Sequence, residues 1–228
     1  MDTLAAKDQR LARLMHSTEE FRTETDGTES PYEALLEAVA YQSISGKAAE
    51  TIFKRVKALS AGGSAPSPEE MLKLPTRALR KAGLSGAKVL AMKDLARKTL
   101  SGVVPSRAAA EALSDEELVA RLVSVRGVGA WTVEMFLIFR LGRPDVLPIH
   151  DLGVQKGYAL TYGKKFVPKP KELLAFGERW RPYRTVASWY MWRAVQRDTS
   201  KARKIGRAPT KKRRKASRRQ RTASRVSR

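Results

Sequence analysis

The sequence predicts an all-α fold, and three observations carry that expectation. Apolar residues recur at three- and four-residue intervals along most of positions 1–196. No alternating apolar and polar run is long enough to read as a strand. Helix-start signatures also repeat: Ser30-Pro31-Tyr32-Glu33, Ser67-Pro68-Glu69-Glu70 and Ser114-Asp115-Glu116-Glu117 each set a capping serine three residues before a glutamate. The first two add proline at the first helical position. About ten helices without an internal repeat are expected.

In chain order, Leu4, Leu11, Leu14 and Met15 place one amphipathic helix over 4–16. The polar run from Thr23 to Glu29 ends it. The Ser30 signature opens a helix that buries Leu35, Leu36, Val39 and Ala40 and stops in Tyr41-Gln42-Ser43-Ile44-Ser45-Gly46. Ala48, Ile52, Phe53, Val56 and Leu59 form the next stripe, and Ala61 to Pro66 is a loop. The Ser67 helix ends before Pro75, and a short one closes at Gly83. Val89, Leu90, Met92, Leu95 and Leu100 mark a longer helix. The Ser114 helix buries Leu118, Val119, Leu122 and Val123, and a strongly apolar helix runs from Trp131 to Leu141.

Charge says most about partners. The 228 residues hold 45 Lys+Arg against 23 Asp+Glu, a net charge of +22. The implied partner is polyanionic, either nucleic acid or an anionic membrane surface. Between Arg197 and Arg228 there are 15 basic residues and one acid, Asp198. With Ile205 and Val226 as its bulky apolar residues, this segment is expected to be a disordered tail, 197–228, after a folded domain, 1–196. The run reads as a phosphate-binding arm, as a solubilising end or as a nuclear-import signal. The absence of cysteine excludes disulfides, thiolate zinc sites and cysteine nucleophiles, and two histidines, His16 and His150, argue against a multi-histidine metal site. The acidic start Met1-Asp2-Thr3-Leu4 lacks the order of a signal peptide, and no apolar run approaches the ~20 residues that span a bilayer. An intracellular, soluble protein is expected, with no membrane partner.

The most informative segment is Leu122-Val123-Ser124-Val125-Arg126-Gly127-Val128-Gly129-Ala130-Trp131-Thr132-Val133. A helix ends, a Gly-x-Gly turn follows, and an apolar helix begins. Glycines permit positive φ and let another backbone approach. N–H groups at the new helix start then face outward, where the helix dipole favours an anion such as a DNA phosphate. By itself this is equally an ordinary tight turn between core helices.

Together with Leu141-Gly142-Arg143-Pro144-Asp145-Val146-Leu147-Pro148-Ile149-His150-Asp151, the segment resembles the helix-hairpin-helix DNA glycosylase (HhH-GPD) signature, in its 3-methyladenine DNA glycosylase II branch. Trp131 and Asp151 stand 20 positions apart, as that signature requires. Tyr41 to Ser45, Leu79 to Ser85 and Trp180-Arg181-Pro182-Tyr183-Arg184 agree, and the likeness covers roughly 5–196. It implies two helical subdomains flanking an active-site cleft. It further implies hydrolysis of the N-glycosidic bond of alkylated bases in double-stranded DNA.

On that resemblance Asp151 is the catalytic carboxylate, although aspartate there can equally cap the next helix. Trp131, Trp192, Met135 and Tyr190 are expected in the base pocket, and an aromatic stripe such as Trp189 to Trp192 is otherwise core. Met135 and Arg193 depart from the pattern and bear on substrate range. Arg126, Gly127, Val128, Gly129, Ala130 and Thr132 form the DNA-binding hairpin, and Gln42, Ser43 and Ile44 the intercalating loop. Trp131 stands where lyases of the superfamily keep a lysine, so base removal without strand cleavage is expected. No metal or cofactor is implied beyond a monovalent cation at the hairpin–phosphate contact. The protein is expected to be a monomer in a bacterial cytoplasm at the nucleoid, or in the nucleus of a eukaryotic host. Competing readings are a glycosylase for uracil, hypoxanthine or an oxidised purine, a non-catalytic DNA-binding module, and a ribosome-associated or histone-like basic protein.

Overall fold

The computed structural model describes residues 2–22 and 30–207. It divides into two compact units: one joins Met1–Phe21 to Leu147–Arg228, and the other is Arg22–Val146. The polar run at 23–29 and the basic run at 208–228 lie outside the described residues, and so does the disorder expected of the latter. Among the described residues there are fourteen α-helices, one 3-10 turn at Glu178–Trp180 and no strand beyond an isolated bridge. The count exceeds about ten because many are six-residue helices with their own starts and stops.

The first unit opens with α1 (Asp2–Lys7) and α2 (Gln9–His16). The single helix expected over 4–16 is broken at Asp8, which caps α2 by accepting from the N–H groups of Arg10 (3.2 Å) and Leu11 (3.1 Å). Its other oxygen accepts from the Tyr162 hydroxyl (2.6 Å) and Trp180 Nε1 (3.3 Å), so a buried carboxylate is satisfied on both sides. Burial, and then the Asp8 carboxylate, push the Tyr162 phenol well above its ordinary pKa.

The second unit contains α3 (Pro31–Tyr41), α4 (Gly46–Lys57), α5 (Pro68–Lys73), α6 (Thr76–Lys81), α7 (Gly86–Leu100), α8 (Arg107–Ala112), α9 (Asp115–Leu122) and α10 (Ala130–Phe139). All three expected capping boxes form, with Glu33, Glu70 and Glu117 reaching back to the N–H of Ser30 (3.1 Å), Ser67 (2.8 Å) and Ser114 (3.0 Å). Each is worth about 1 kcal/mol to its helix. The long α7 is the spine, with α3 and α5 packed on it through buried Leu35, Leu36, Met71, Met92 and Leu95.

The chain returns to the first unit for α11 (Leu152–Thr161), α12 (Pro170–Gly177), α13 (Arg184–Arg197) and α14 (Thr199–Lys204). Its core is aromatic: Phe176 meets Tyr162 at 4.6 Å, Tyr158 at 4.8 Å and Trp180 at 5.5 Å between ring centroids. The domain boundary expected at 196/197 is corrected. Asp198 caps α14 by accepting from Lys201 N (3.0 Å), Ala202 is 2% exposed, and Gly206 bridges to Phe166. A basic composition does not prevent folding where one acid caps and one alanine buries, so ordered structure continues to residue 207.

Candidate active site

The hairpin of the second unit is held from within. Val125 and Val128 are buried anchors on either side of Arg126-Gly127. Gly127 has φ +77°, and a Cβ there would lie 3.3 Å from the Ala91 Cβ, so the turn demands glycine. The Arg126 N–H donates to Asp94 Oδ2 (2.9 Å), and Lys98 (3.3 Å) and Arg97 (3.4 Å) pair with the same carboxylate. Burial pushes Asp94 up, but these donors outweigh it and hold the carboxyl below its usual range. Gly129 is the N-cap of α10 and brings no side chain to its first turn. Arg126, Gly127, Gly129 and Ala130 are exposed, whereas the Val128 and Thr132 side chains are buried, so those two offer backbone groups alone.

The expected intercalating loop is tied to this hairpin. Gln42 Nε2 donates to the Gly127 carbonyl at 3.0 Å. Next to it Ser43 has φ +59°, the one non-glycine residue with positive φ among those described. A strained backbone of this kind costs about 1–3 kcal/mol and is kept where its surroundings hold it. Ser43 and Ile44 are exposed. Gln42 is therefore a strut, and the two residues after it form the tip.

Trp131 and Met135 come together as expected. They line a cleft of about 780 Å³ within the second unit, between α10 and α3, with Tyr41 and Ala38 on the α3 side. Trp131 is 47% exposed. An ion pair of Arg140 with Glu37 (2.7 Å) borders the same space.

In the first unit, Pro148 and Ile149 shape the loop before α11. The Asp151 N–H donates to the Pro148 carbonyl (3.0 Å), and buried Gln155 donates from Nε2 to the Ile149 carbonyl (2.7 Å). Asp151 is the N-cap of α11, and its Oδ1 accepts from Val154 N–H (2.8 Å) and Trp192 Nε1 (2.8 Å). Asp151 thus caps α11, the alternative that its sequence position also allows. Trp192 fixes the carboxylate through its ring edge. A Cβ at Gly153 would sit 2.7 Å from Trp192 Cδ1, so glycine there lets the indole reach Asp151. Trp192→Phe keeps most of the ring but removes the donor. It is expected to slow catalysis by about tenfold under single-turnover conditions, with little change in thermal midpoint, as loosening an oriented group does.

Tyr190 is not a pocket residue. It is 1% exposed and packs edge-to-face on Trp189 at 5.0 Å, and burial raises its phenol pKa. Here the helical stripe is core, as apolar stripes generally are. Arg193 lies over the Trp189 ring at 4.4 Å and pairs with Glu19 at 3.1 Å. His150 is exposed. Gln155, Gly153 and the strut function of Gln42 were missed; a polar residue in the first turn after Asp151 was the one signal for Gln155.

Comparison with known proteins covers both units. The model for HhH-GPD superfamily base excision DNA repair proteins matches residues 36–182, which include the loop at 42–44, the hairpin and Asp151. The chain belongs to this superfamily. Among HhH-GPD relatives, DNA-3-methyladenine glycosylase 1 of Schizosaccharomyces pombe is 39% identical, over 83% of this chain and 84% of its own. The solved structure of the S. pombe 3-methyladenine DNA glycosylase in complex with abasic DNA has TM-score 0.76 and 38% identity, covering 85% of this chain and 95% of that one. A DNA-3-methyladenine glycosidase of Bacillus halodurans has TM-score 0.78 and 33% identity, covering 87% and 89%. Among the described residues of this HhH-GPD chain, no helix is long and apolar enough to cross a membrane, and no cluster of His, Asp and Glu could hold a metal ion.

Proposed function

We propose that the protein is a monofunctional DNA-3-methyladenine glycosylase that flips alkylated bases out of double-stranded DNA and hydrolyses their N-glycosidic bond. The observation that carries this reading is Asp151, a carboxylate held by Val154 N–H and Trp192 Nε1 at the N-terminus of α11. As the base leaves, the C1′–N bond breaks with its electron pair going to the base, and positive charge grows on the sugar. A fixed carboxylate lowers that barrier electrostatically. Water then bonds to C1′ and gives its proton to Asp151. A base alkylated on a ring nitrogen departs neutral, so it needs no acid. The hairpin holds a strand phosphate through backbone N–H groups at the start of α10, a monovalent cation can bridge that contact, and no other cofactor takes part. The Ser43–Ile44 tip fills the gap left by the extruded nucleotide. The working form is a monomer at the nucleoid or in the nucleus.

The test is base release from methylated duplexes, with uracil and hypoxanthine duplexes alongside. Release of methylated purines, with strand breaks appearing after heat or alkali alone, is the expected result. Because Trp131 supplies no amine, borohydride should trap no covalent protein–DNA adduct. Activity confined to uracil or hypoxanthine would move the protein to another lesion class, and a trapped adduct would make it a lyase.

The basic run also has a measurable role. Cutting after Arg207 removes ten Lys and Arg residues and leaves every described helix intact. If about a third of them meet phosphates, the slope of log K against log salt should flatten by about three units, with lesion preference unchanged. Binding across a salt series for both chains measures this. Parallel slopes would show that the run does not engage DNA.

A further inference from the structure

The cleft between α3 and α10 has unequal walls. On α10, Trp131, Met135 and Phe139 recur at four-residue intervals and form one stripe along it. On α3, Ala34 and Ala38 are too small to fill the space, and Tyr41 closes that wall at the last turn of the helix. At about 780 Å³ the cleft lies within the size range of small-molecule sites. A flat cation is held best between two electron-rich faces, and α10 brings Trp131, exposed at its first turn, with Phe136 and Phe139 farther along the lining. The opposing helix supplies the other. The Tyr41 ring is braced edge-on by Phe53, at 6.5 Å and 75°.

We infer that Tyr41 is a specificity-determining residue, its ring providing the second aromatic face, with Trp131, for a cationic alkylated base. This rests on the proposed glycosylase function. Burial, and then the charges of Glu37 and Glu50, raise the Tyr41 phenol pKa. Glu37 stands one turn before Tyr41 on α3 and lines the same cleft, where it is ion-paired with Arg140 at 2.7 Å. A neutral base stacks on the same ring but gains no charge attraction, so Tyr41 favours cationic over neutral bases by charge.

The experiment compares wild type with Tyr41→Phe and Tyr41→Leu. Binding of 7-methylguanosine, in mildly acidic buffer where its ring stays cationic, and of neutral guanosine is followed through tryptophan fluorescence. Single-turnover release of 7-methylguanine and of hypoxanthine from duplexes is followed in parallel. Tyr41→Leu should weaken 7-methylguanosine binding and slow 7-methylguanine release by about two- to thirty-fold more than it affects guanosine and hypoxanthine, the span of one cation–aromatic contact. Tyr41→Phe should match wild type. Equal losses for charged and neutral ligands, no loss at all, or a wild type without preference for the cationic nucleoside would each overturn the inference. If wild type releases no methylated base yet its nucleoside preference depends on Tyr41, the proposed function fails and the cation site stands. If methylated bases are released whatever residue occupies position 41, the reverse holds.

Discussion

Asp151→Asn is expected to cut single-turnover base release by about 100- to 1,000-fold, the loss seen when one pre-aligned electrostatic group is removed from a transition state. The substitution isolates charge. An asparagine oxygen still accepts from Val154 N–H and Trp192 Nε1, and asparagine caps helices as well as aspartate does, so α11 keeps its start. The variant should unfold at nearly the wild-type temperature and still bind a duplex containing an abasic-site analogue. Near-normal excision would remove Asp151 from the chemistry.

The largest expected loss of stability comes from Gly157→Ala. Helix α11 lies so close to α13 that a Cβ at position 157 would stand 2.0 Å from the Met191 carbonyl oxygen and 2.4 Å from its carbon. Backbone cannot rotate away as a side chain can, so the helices must separate and disturb the core they share. A cost of about 3 kcal/mol or more follows, at the upper end for overpacking. Denaturant unfolding measures it, with Gly153→Ala as the comparison. There the obstacle is the Trp192 ring, which can shift, so stability should fall less and catalysis more. An unchanged midpoint for Gly157→Ala would mean the two helices do not meet as described.

How far the residues announce this structure depends on the range of the interaction. Capping serines act within four residues, so the starts of α3, α5 and α9 were readable, as was Asp151 at the start of α11. The Gly127 turn and the pairing of Trp131 with Met135 are equally local. Asp8 was not readable as a helix break, because its partners Tyr162 and Trp180 lie more than 150 residues away. The same holds for the Gln42 contact to Gly127, 85 residues on. Tyr190 misled because a residue facing a pocket and one facing a core share one periodicity. The ordered stretch 197–207 was hidden by composition, since one acid and one alanine outweigh their basic neighbours.

The order in which the two units use the chain bears on biosynthesis. Met1–Phe21 emerges first, but its partners begin at Leu147, so α1 and α2 wait while the 125 residues of Arg22–Val146 are made. At roughly 5–20 residues per second that interval is about 6–25 s. The continuous unit can fold in that time, while Leu4 and Leu11 stay without the core that later buries them. A nascent protein therefore owns its Gly127 turn before it owns Asp151. A chain cut short between the two carries the Gly127 turn without Asp151, and on the proposed roles it is expected to bind DNA without releasing a base.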